Sequence, residues 1–210
     1  MSCLLFDNDG TLIESERICC IGIAERYRKE RNLNLDPDEM FQRFRGWELE
    51  RILETIKVEH GVDWDSGLVQ RYRERMIDLF ELHLEVIPGI PEALAQLPHA
   101  KAVVSNGPLK KMQEALRITK LERHFKNNYV SAYEINIWKP DPKIYLYAAN
   151  LLNAAPEDCI VIEDSLTGVE AGMKAGMRTL FFNKQNDSCP FEDVIQFDSM
   201  FELPDLIKSL

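Results

Sequence analysis

Positive charge is what this chain is short of. Against 35 Asp and Glu it sets 25 Lys and Arg, for a formal net charge of -10. Duplex nucleic acid and anionic membrane surfaces both need a positive footprint, so neither is an expected partner. Long apolar runs are missing as well, and none approaches a membrane span. No basic-then-apolar leader is expected, because Asp7 and Asp9 interrupt the first apolar run almost at once. The five cysteines, Cys3, Cys19, Cys20, Cys159 and Cys189, are odd in number and lack the spacing of metal ligands. All five are read as reduced and structural, with Cys3 and Cys159 serving as small hydrophobes in buried strands, and this fits a cytoplasmic location. His60, His83, His99 and His124 share no ligand spacing and read as solvated or capping groups. No linker, internal repeat or low-complexity segment interrupts the chain. An acidic balance still leaves room for a small anionic substrate, which a few placed cations can hold.

What is present is enough apolar material for a full core: 45% of 210 residues are hydrophobic, which suits one large domain or a core with a smaller insert. Cys3 to Phe6 is an apolar run too brief for a buried helix and suited to a strand covered on both faces. Helical periodicity then takes over for about seventy residues. Ile18, Ile21, Ile23 and Tyr27 mark the inner stripe of a first helix ending near Arg31. Asp36 is a good N-cap with Pro37 behind it, opening a second helix that runs to Arg45 and stops at Gly46. A third spans 47–60 with Gly61 as its terminator, and a fourth spans 67–84. Four amphipathic helices with no strand between them make a small bundle. Since they follow the first strand, they are an insertion.

The core resumes at Val86. Strands are expected at 102–104, 129–131, 160–162 and 179–182, and helices at 91–97, after Pro108, at 143–152 and at 204–210. Gly168, Gly172 and Gly176 recur at every fourth residue and read as a small-residue face packed closely on the sheet. Alternating strands and helices imply an α/β fold with a doubly wound, mostly parallel, Rossmann-like sheet. The expected division is a core of residues 1–14 and 86–210 and a helical insert of residues 15–85. The stretch between Ser105 and Lys139 has room for about one helix and one strand, and hence for no second insert.

Chemistry concentrates where apolar runs end. The first ends in Asp7-Asn8-Asp9-Gly10-Thr11, and acids delivered by a buried strand into a loop are how open α/β sheets present a site. Taken alone, the sequence also reads as a capped turn. An EF-hand loop is excluded, because Gly10 stands fourth rather than sixth and Ile18 occupies the place of the closing Glu. Ser105-Asn106-Gly107 follows another apolar run, Lys139-Pro140-Asp141-Pro142 comes later, and Glu163-Asp164-Ser165 closes a further one. Singly these read as a turn, a surface lysine and a helix N-cap. In this order and together they resemble the four motifs of the haloacid dehalogenase superfamily, and the resemblance covers nearly the whole chain.

That resemblance implies a helical cap closing over a phosphotransfer site. It makes Asp7 the nucleophile and Asp9 the acid and base, and it gives the phosphate oxygens to Ser105 and the backbone of Asn106, with Lys139 offsetting the charge of the transition state. Mg²⁺ is the implied cofactor, held by Asp7 and Asp164, by the backbone of Asp9, and by Glu163 as ligand or outer partner. Hard oxygen donors without His or Cys agree with that ion. Gly10 and Thr11 are expected beside the substrate, and Arg45-Gly46-Trp47 at the cap junction where family caps place their substrate-contacting loop. Asp9 argues against a dehalogenase, which needs no acid there, and the cap lysines Lys29 and Lys57 do not convert the set to a phosphonate hydrolase. The expectation is a Mg²⁺-dependent phosphatase for a small phosphorylated metabolite. The cap junction and the Lys139 stretch resemble sugar-phosphate phosphatases, including those acting on 6-phosphogluconate. A sugar-phosphate mutase shares every motif and is the alternative. A phosphorylated receiver or binding module is another, but receivers order their acids differently and lack the helical insertion. The protein is expected to act as a monomer or weak homodimer.

Overall fold

A computed structural model describes residues 3–210. The chain forms two compact units, one of the residues up to Ile13 together with Glu85–Leu210, the other Glu14–Leu84.

The first unit is built on a six-stranded sheet: β1 (Cys3–Phe6), β2 (Ala100–Ser105), β3 (Tyr129–Ser131), β4 (Cys159–Glu163), β5 (Arg178–Phe182) and β6 (Ile195–Phe197), ordered β3-β2-β1-β4-β5-β6. Every strand pair is parallel. β1 is buried along its whole length between β2 and β4, which is why its four residues carry no polar alternation. The order reverses between β1 and β4, since the chain winds outward from β1 through β2 to β3 and returns on the other side. Crevices at the carboxyl ends of strands flanking such a reversal are where doubly wound folds bind ligands. β6 was not expected, because its three residues include an exposed Gln196 and bury only Phe197, which leaves no apolar run to read.

In the second unit four helices, α1 (Glu16–Arg31), α2 (Pro37–Phe44), α3 (Leu49–His60) and α4 (Ser66–His83), pack as a bundle. Their inward residues include Ile18, Ile23 and Tyr27 of α1 and Leu68, Tyr72, Met76 and Leu79 of α4. Asp36 caps α2 by accepting from the backbone N–H groups of Asp38 and Glu39, and Gly61 ends α3 in a left-handed conformation. The third helix starts two residues later than its periodicity indicates, at Leu49, because Gly46 turns the chain at φ 75° and Glu48 is extended as N-cap.

The first unit adds α5 (Ile90–Gln96), α6 (Leu109–Ile118), the short α7 (Ala132–Ile135), α8 (Lys143–Leu151), α9 (Leu166–Lys174) and α10 (Leu203–Lys208). One face of the sheet, with Leu5, Val104, Val130 and Val161, packs on Ile144, Tyr145 and Ala148 of α8 and Ala171 of α9. On the other, Phe6 meets Phe125 edge-on at 5.9 Å.

Two sequence expectations need correction. Cys3 and Cys159 are joined as a disulfide, while Cys19, Cys20 and Cys189 are free. The two are register partners on β1 and β4 with Cα atoms 4.7 Å apart, so strand pairing brings together thiols separated by 156 positions. Cysteine usage therefore no longer speaks for a reducing compartment. The small-residue face also has two members, not three. A Cβ on Gly172 would lie 2.6 Å from the Thr179 hydroxyl and 3.2 Å from Val161 side-chain atoms, and Gly168 faces Glu163, but Gly176 lies beyond α9 in a turn at φ 73°. Gly172→Ala should cost about 1–3 kcal/mol through overpacking between helix and sheet. A thermal or urea denaturation series checks this, and an unchanged midpoint would mean that α9 has slack against β4 and β5.

Candidate active site

The site grows from the carboxyl ends of the central strands. Phe6 pairs with Val103 and with Ile162, and the Asp7 N–H donates to the Ile162 carbonyl at 2.9 Å, so Asp7 leaves β1 level with the end of β4. The last residue of β4 is Glu163. The two acids of the first and last motifs are thereby neighbours, although they are 156 positions apart.

Lys139 binds them together. Its ammonium donates to Asp7 Oδ1 at 2.5 Å, to Glu163 Oε1 at 2.5 Å and to the Val104 carbonyl at 2.9 Å. All three N–H groups are used, and the side chain is 3% exposed. Taken singly, Lys139 reads as a surface lysine; the fold buries it. Burial pulls the ammonium down, but the Asp7 and Glu163 carboxylates outweigh this and hold it above the usual lysine range. The loop that carries Lys139 is tied to the second motif through Asn106, whose amide accepts from the Lys139 N–H at 2.9 Å. Ser105 ends β2 with its hydroxyl accepting from the Gly107 N–H at 2.9 Å, which folds the Ser105-Asn106-Gly107 turn.

Glu163 is fully engaged. Besides Lys139, Oε1 accepts from the Tyr145 hydroxyl at 2.8 Å, and Oε2 accepts from the Asp164 and Ser165 N–H groups at 3.1 Å and from the Ser165 hydroxyl at 2.9 Å. Five donors meet the roughly four lone-pair positions of a carboxylate. A Cβ on Gly168 would stand 1.8 Å from Oε1, so this packing needs a glycine there. The N-cap of α9 is Ser165, which accepts from the Gly168 N–H, so this stretch both caps the helix and supplies the acids.

Asp164 is oriented by the Thr11 hydroxyl, which donates to Oδ1 at 3.0 Å. Gly10, at φ 91°, brings its backbone so close that a Cβ would sit 2.0 Å from Asp164 Oδ2. Gly10 and Thr11, expected beside the substrate, are both buried and both lie against Asp164. Asp9 keeps 22% of its side chain exposed and accepts from Lys111 Nζ at 2.6 Å. Between the two acids, the buried amide of Asn8 has no hydrogen-bond partner, and nothing in the structure explains it. Tyr145 and Lys111 were missed by the sequence reading. Tyr145 looks like one more apolar position of α8, and Lys111 like one more polar position of α6.

Arg45, Gly46 and Trp47 belong to the second unit. There the Gly46 N–H donates to Glu16 Oε1 at 2.8 Å, Trp47 packs against Phe44 with ring centres 5.3 Å apart and planes tilted by 55°, and the Arg51 guanidinium lies 3.7 Å from the Trp47 ring centre.

Asp7, Glu163 and Asp164 each offer an oxygen within 4.8 Å of the others. At an effective dielectric near 20, a like-charge pair at such range costs about 3–4 kcal/mol, and one ammonium cannot offset three carboxylates. Burial is the main reason that the Asp7 carboxyl is pushed up to about 8, with Lys139 opposing and Glu163 and Asp9 adding to it. Every donor in the group is a hard carboxylate oxygen, the set that suits a hard divalent cation.

This sheet, with its acids at the reversal of strand order, is that of a doubly wound α/β enzyme. The match to the profile of haloacid dehalogenase-like hydrolases covers residues 4–182, and the chain belongs to that family. It is 35% identical over 209 residues, 98% of this chain and 94% of the relative, to 6-phosphogluconate phosphatase of Escherichia coli K12. It is 28% identical over 190 residues, 86% of this chain and 84% of the relative, to phosphorylated carbohydrates phosphatase of Thermotoga maritima. Among solved structures, a haloacid dehalogenase family hydrolase of Deinococcus radiodurans with bound phosphate and sodium aligns at a TM-score of 0.78 and 26% identity, covering 100% of this chain and 96% of its own.

Metal ligation requires the ionised form of a carboxylate. With the metal-free Asp7 carboxyl near 8, a divalent cation binding below that pH must displace a proton. Affinity should rise by roughly tenfold per pH unit from 6 toward 8 and level off above, with one proton released per ion. Calorimetry in two buffers of different ionisation enthalpy measures both quantities, and pH-independent binding across this range would contradict the assignment to Asp7.

Proposed function

We propose that the protein is a Mg²⁺-dependent phosphatase acting on a small phosphorylated sugar or sugar acid through an aspartyl-phosphate intermediate. The observation that carries this reading is the Asp7–Lys139–Glu163 array with Asp164 beside it. It joins three of the motifs, and Asn106, accepting from the Lys139 N–H, ties in the fourth, on a chain with relatives named as phosphatases of 6-phosphogluconate and of phosphorylated carbohydrates.

The ion would be held by Asp7 and Asp164, with the Asp9 carbonyl contributing, and when bound it supplies the positive charge that lets an anionic nucleophile meet an anionic ester. Glu163, with both oxygens already accepting, serves as the outer partner that fixes Lys139 and the Asp164 backbone. Asp7 attacks phosphorus as its carboxylate, and the bond from phosphorus to the ester oxygen breaks. Asp9 delivers its proton to that departing oxygen, then takes a proton from the water that cleaves the acyl phosphate, returning Asp7 and releasing phosphate. Ser105 and the Asn106 N–H hold the phosphoryl oxygens, and the Lys139 ammonium, already in contact with Asp7, opposes the charge that builds there. Gly10 and Thr11 enter this reading through Asp164. A sugar phosphate in the cytoplasm is the substrate class, and the enzyme is expected to work as a monomer or weak homodimer, which light scattering tests.

Purified protein should release phosphate from a panel of sugar and sugar-acid phosphates with Mg²⁺, and EDTA should abolish the release. Asp7→Asn should reduce turnover to background with the fold intact. Asp9→Asn should lose about a hundred- to ten-thousandfold on alkyl phosphates and accumulate an adduct of about 80 Da on Asp7 with acetyl phosphate, seen by intact-mass spectrometry. Turnover by Asp7→Asn, or a label on another residue, would remove the nucleophile assignment. Conversion of a sugar phosphate to its isomer without free phosphate, followed by NMR, would replace the phosphatase by a mutase.

The Glu14–Leu84 unit is proposed as the substrate-recognising cap, with Arg45, Gly46 and Trp47 as its contact loop, because a cation and an aromatic flank a turn tied down by Glu16. Arg45→Ala should raise KM for the best sugar phosphate several-fold while sparing p-nitrophenyl phosphate. Equal losses on the two would show that the loop does not read the substrate.

A further inference from the structure

Lys111 has no part in the four motifs, yet its ammonium reaches Asp9 Oδ1 at 2.6 Å from 102 positions away. It sits in the first turn of α6, directly after the Ser105-Asn106-Gly107 turn. Gly107 lies among the same groups. A Cβ built on it would stand 3.2 Å from Ser105 Oγ, 3.7 Å from Asp9 Oδ2 and 3.8 Å from Lys111 Cδ. Asp9 thus has Oδ1 on Lys111 and Oδ2 turned toward Gly107, on the side of the Ser105 hydroxyl. With about a quarter of each side chain exposed, an ion pair of this kind contributes little to stability. Its geometric effect is larger, because an aspartate on a loop has several staggered positions and the pair selects one.

We propose that Lys111 is a positioning residue for Asp9, gripping Oδ1 so that Oδ2 faces the leaving-group oxygen of an ester held at Ser105. This rests on the reading of Asp9 as the proton donor. Proton transfer needs the donor within hydrogen-bond reach of the departing oxygen, and a displacement of about 1 Å at such a group can cost on the order of a hundredfold. Lys111 acts through Asp9, so its effect should appear only where a proton must be delivered.

The test compares Lys111→Met, Lys111→Arg and Asp9→Asn in single-turnover release of the leaving group from an alkyl phosphate and from p-nitrophenyl phosphate, with Mg²⁺ saturating. An alkoxide needs the proton and a nitrophenolate does not. Lys111→Met should slow alkyl release at least about tenfold more than aryl release, with KM little changed, and Lys111→Arg should restore most of it. Lys111→Gln, which keeps a donor without the length or charge, gives the same comparison if the Met variant does not fold. Equal slowing on both esters, a rise in KM alone, or no effect would each overturn the proposal. Asp9→Asn separates the two ideas. If it shows no leaving-group dependence, the donor reading itself fails. If it shows the dependence and Lys111→Met does not, only the role of Lys111 is lost.

Discussion

The site depends on one buried ammonium. Lys139 lies between Asp7 and Glu163 with its third N–H on the Val104 carbonyl, so it joins residues from three strand ends and a loop at a single point. Such a charge is tolerable inside a protein only because it is paired and hydrogen-bonded; removing one partner from a buried pair typically costs about 3–5 kcal/mol. Much of the surrounding structure serves that arrangement. Asn106 fixes the Lys139 backbone, Tyr145 and Ser165 complete the hydrogen bonding of Glu163, and Gly168 leaves the space that Glu163 fills.

The acids of the site outnumber the one ammonium that joins them. Asp7, Glu163 and Asp164 converge within 4.8 Å around one lysine, and the Asp7 carboxyl is held above its ordinary range chiefly by burial. A carboxyl in that state gives up its proton more readily once a positive charge joins the cluster, which couples its ionisation to the charge around it. Thr11 and Gly10 contribute by setting Asp164 in place, one through its hydroxyl and the other by having no side chain.

Elements with a strong local signal were legible in advance. The apolar runs of β1 and β4, the Asp36 cap and the Gly61 terminator each express their structure within a few residues. The edge strand β6 and the single turn α7 do not, because each buries only one residue and so shows no apolar run. Among site residues, the four motifs stood out through their joint order, since each alone has a blander reading. Tyr145 and Lys111 could not be singled out: a tyrosine in an apolar helix and a lysine in a polar one are unremarkable until their partners are known.

From the residues alone came the local and additive properties: an acidic chain with apolar strands, capped helices and carboxylates at strand ends, all set by short-range sterics, hydrogen bonding and burial. Tertiary structure decided whatever rests on register and distance between remote segments. Parallel pairing of β1 with β4 made Cys3 and Cys159 partners and set Asp7 beside Glu163. It also turned Lys139 inward rather than to the surface, and it handed Gly10 and Thr11 to Asp164. Such pairings follow from the whole hydrogen-bonded sheet and the close packing of its faces, and no short stretch of sequence carries that information.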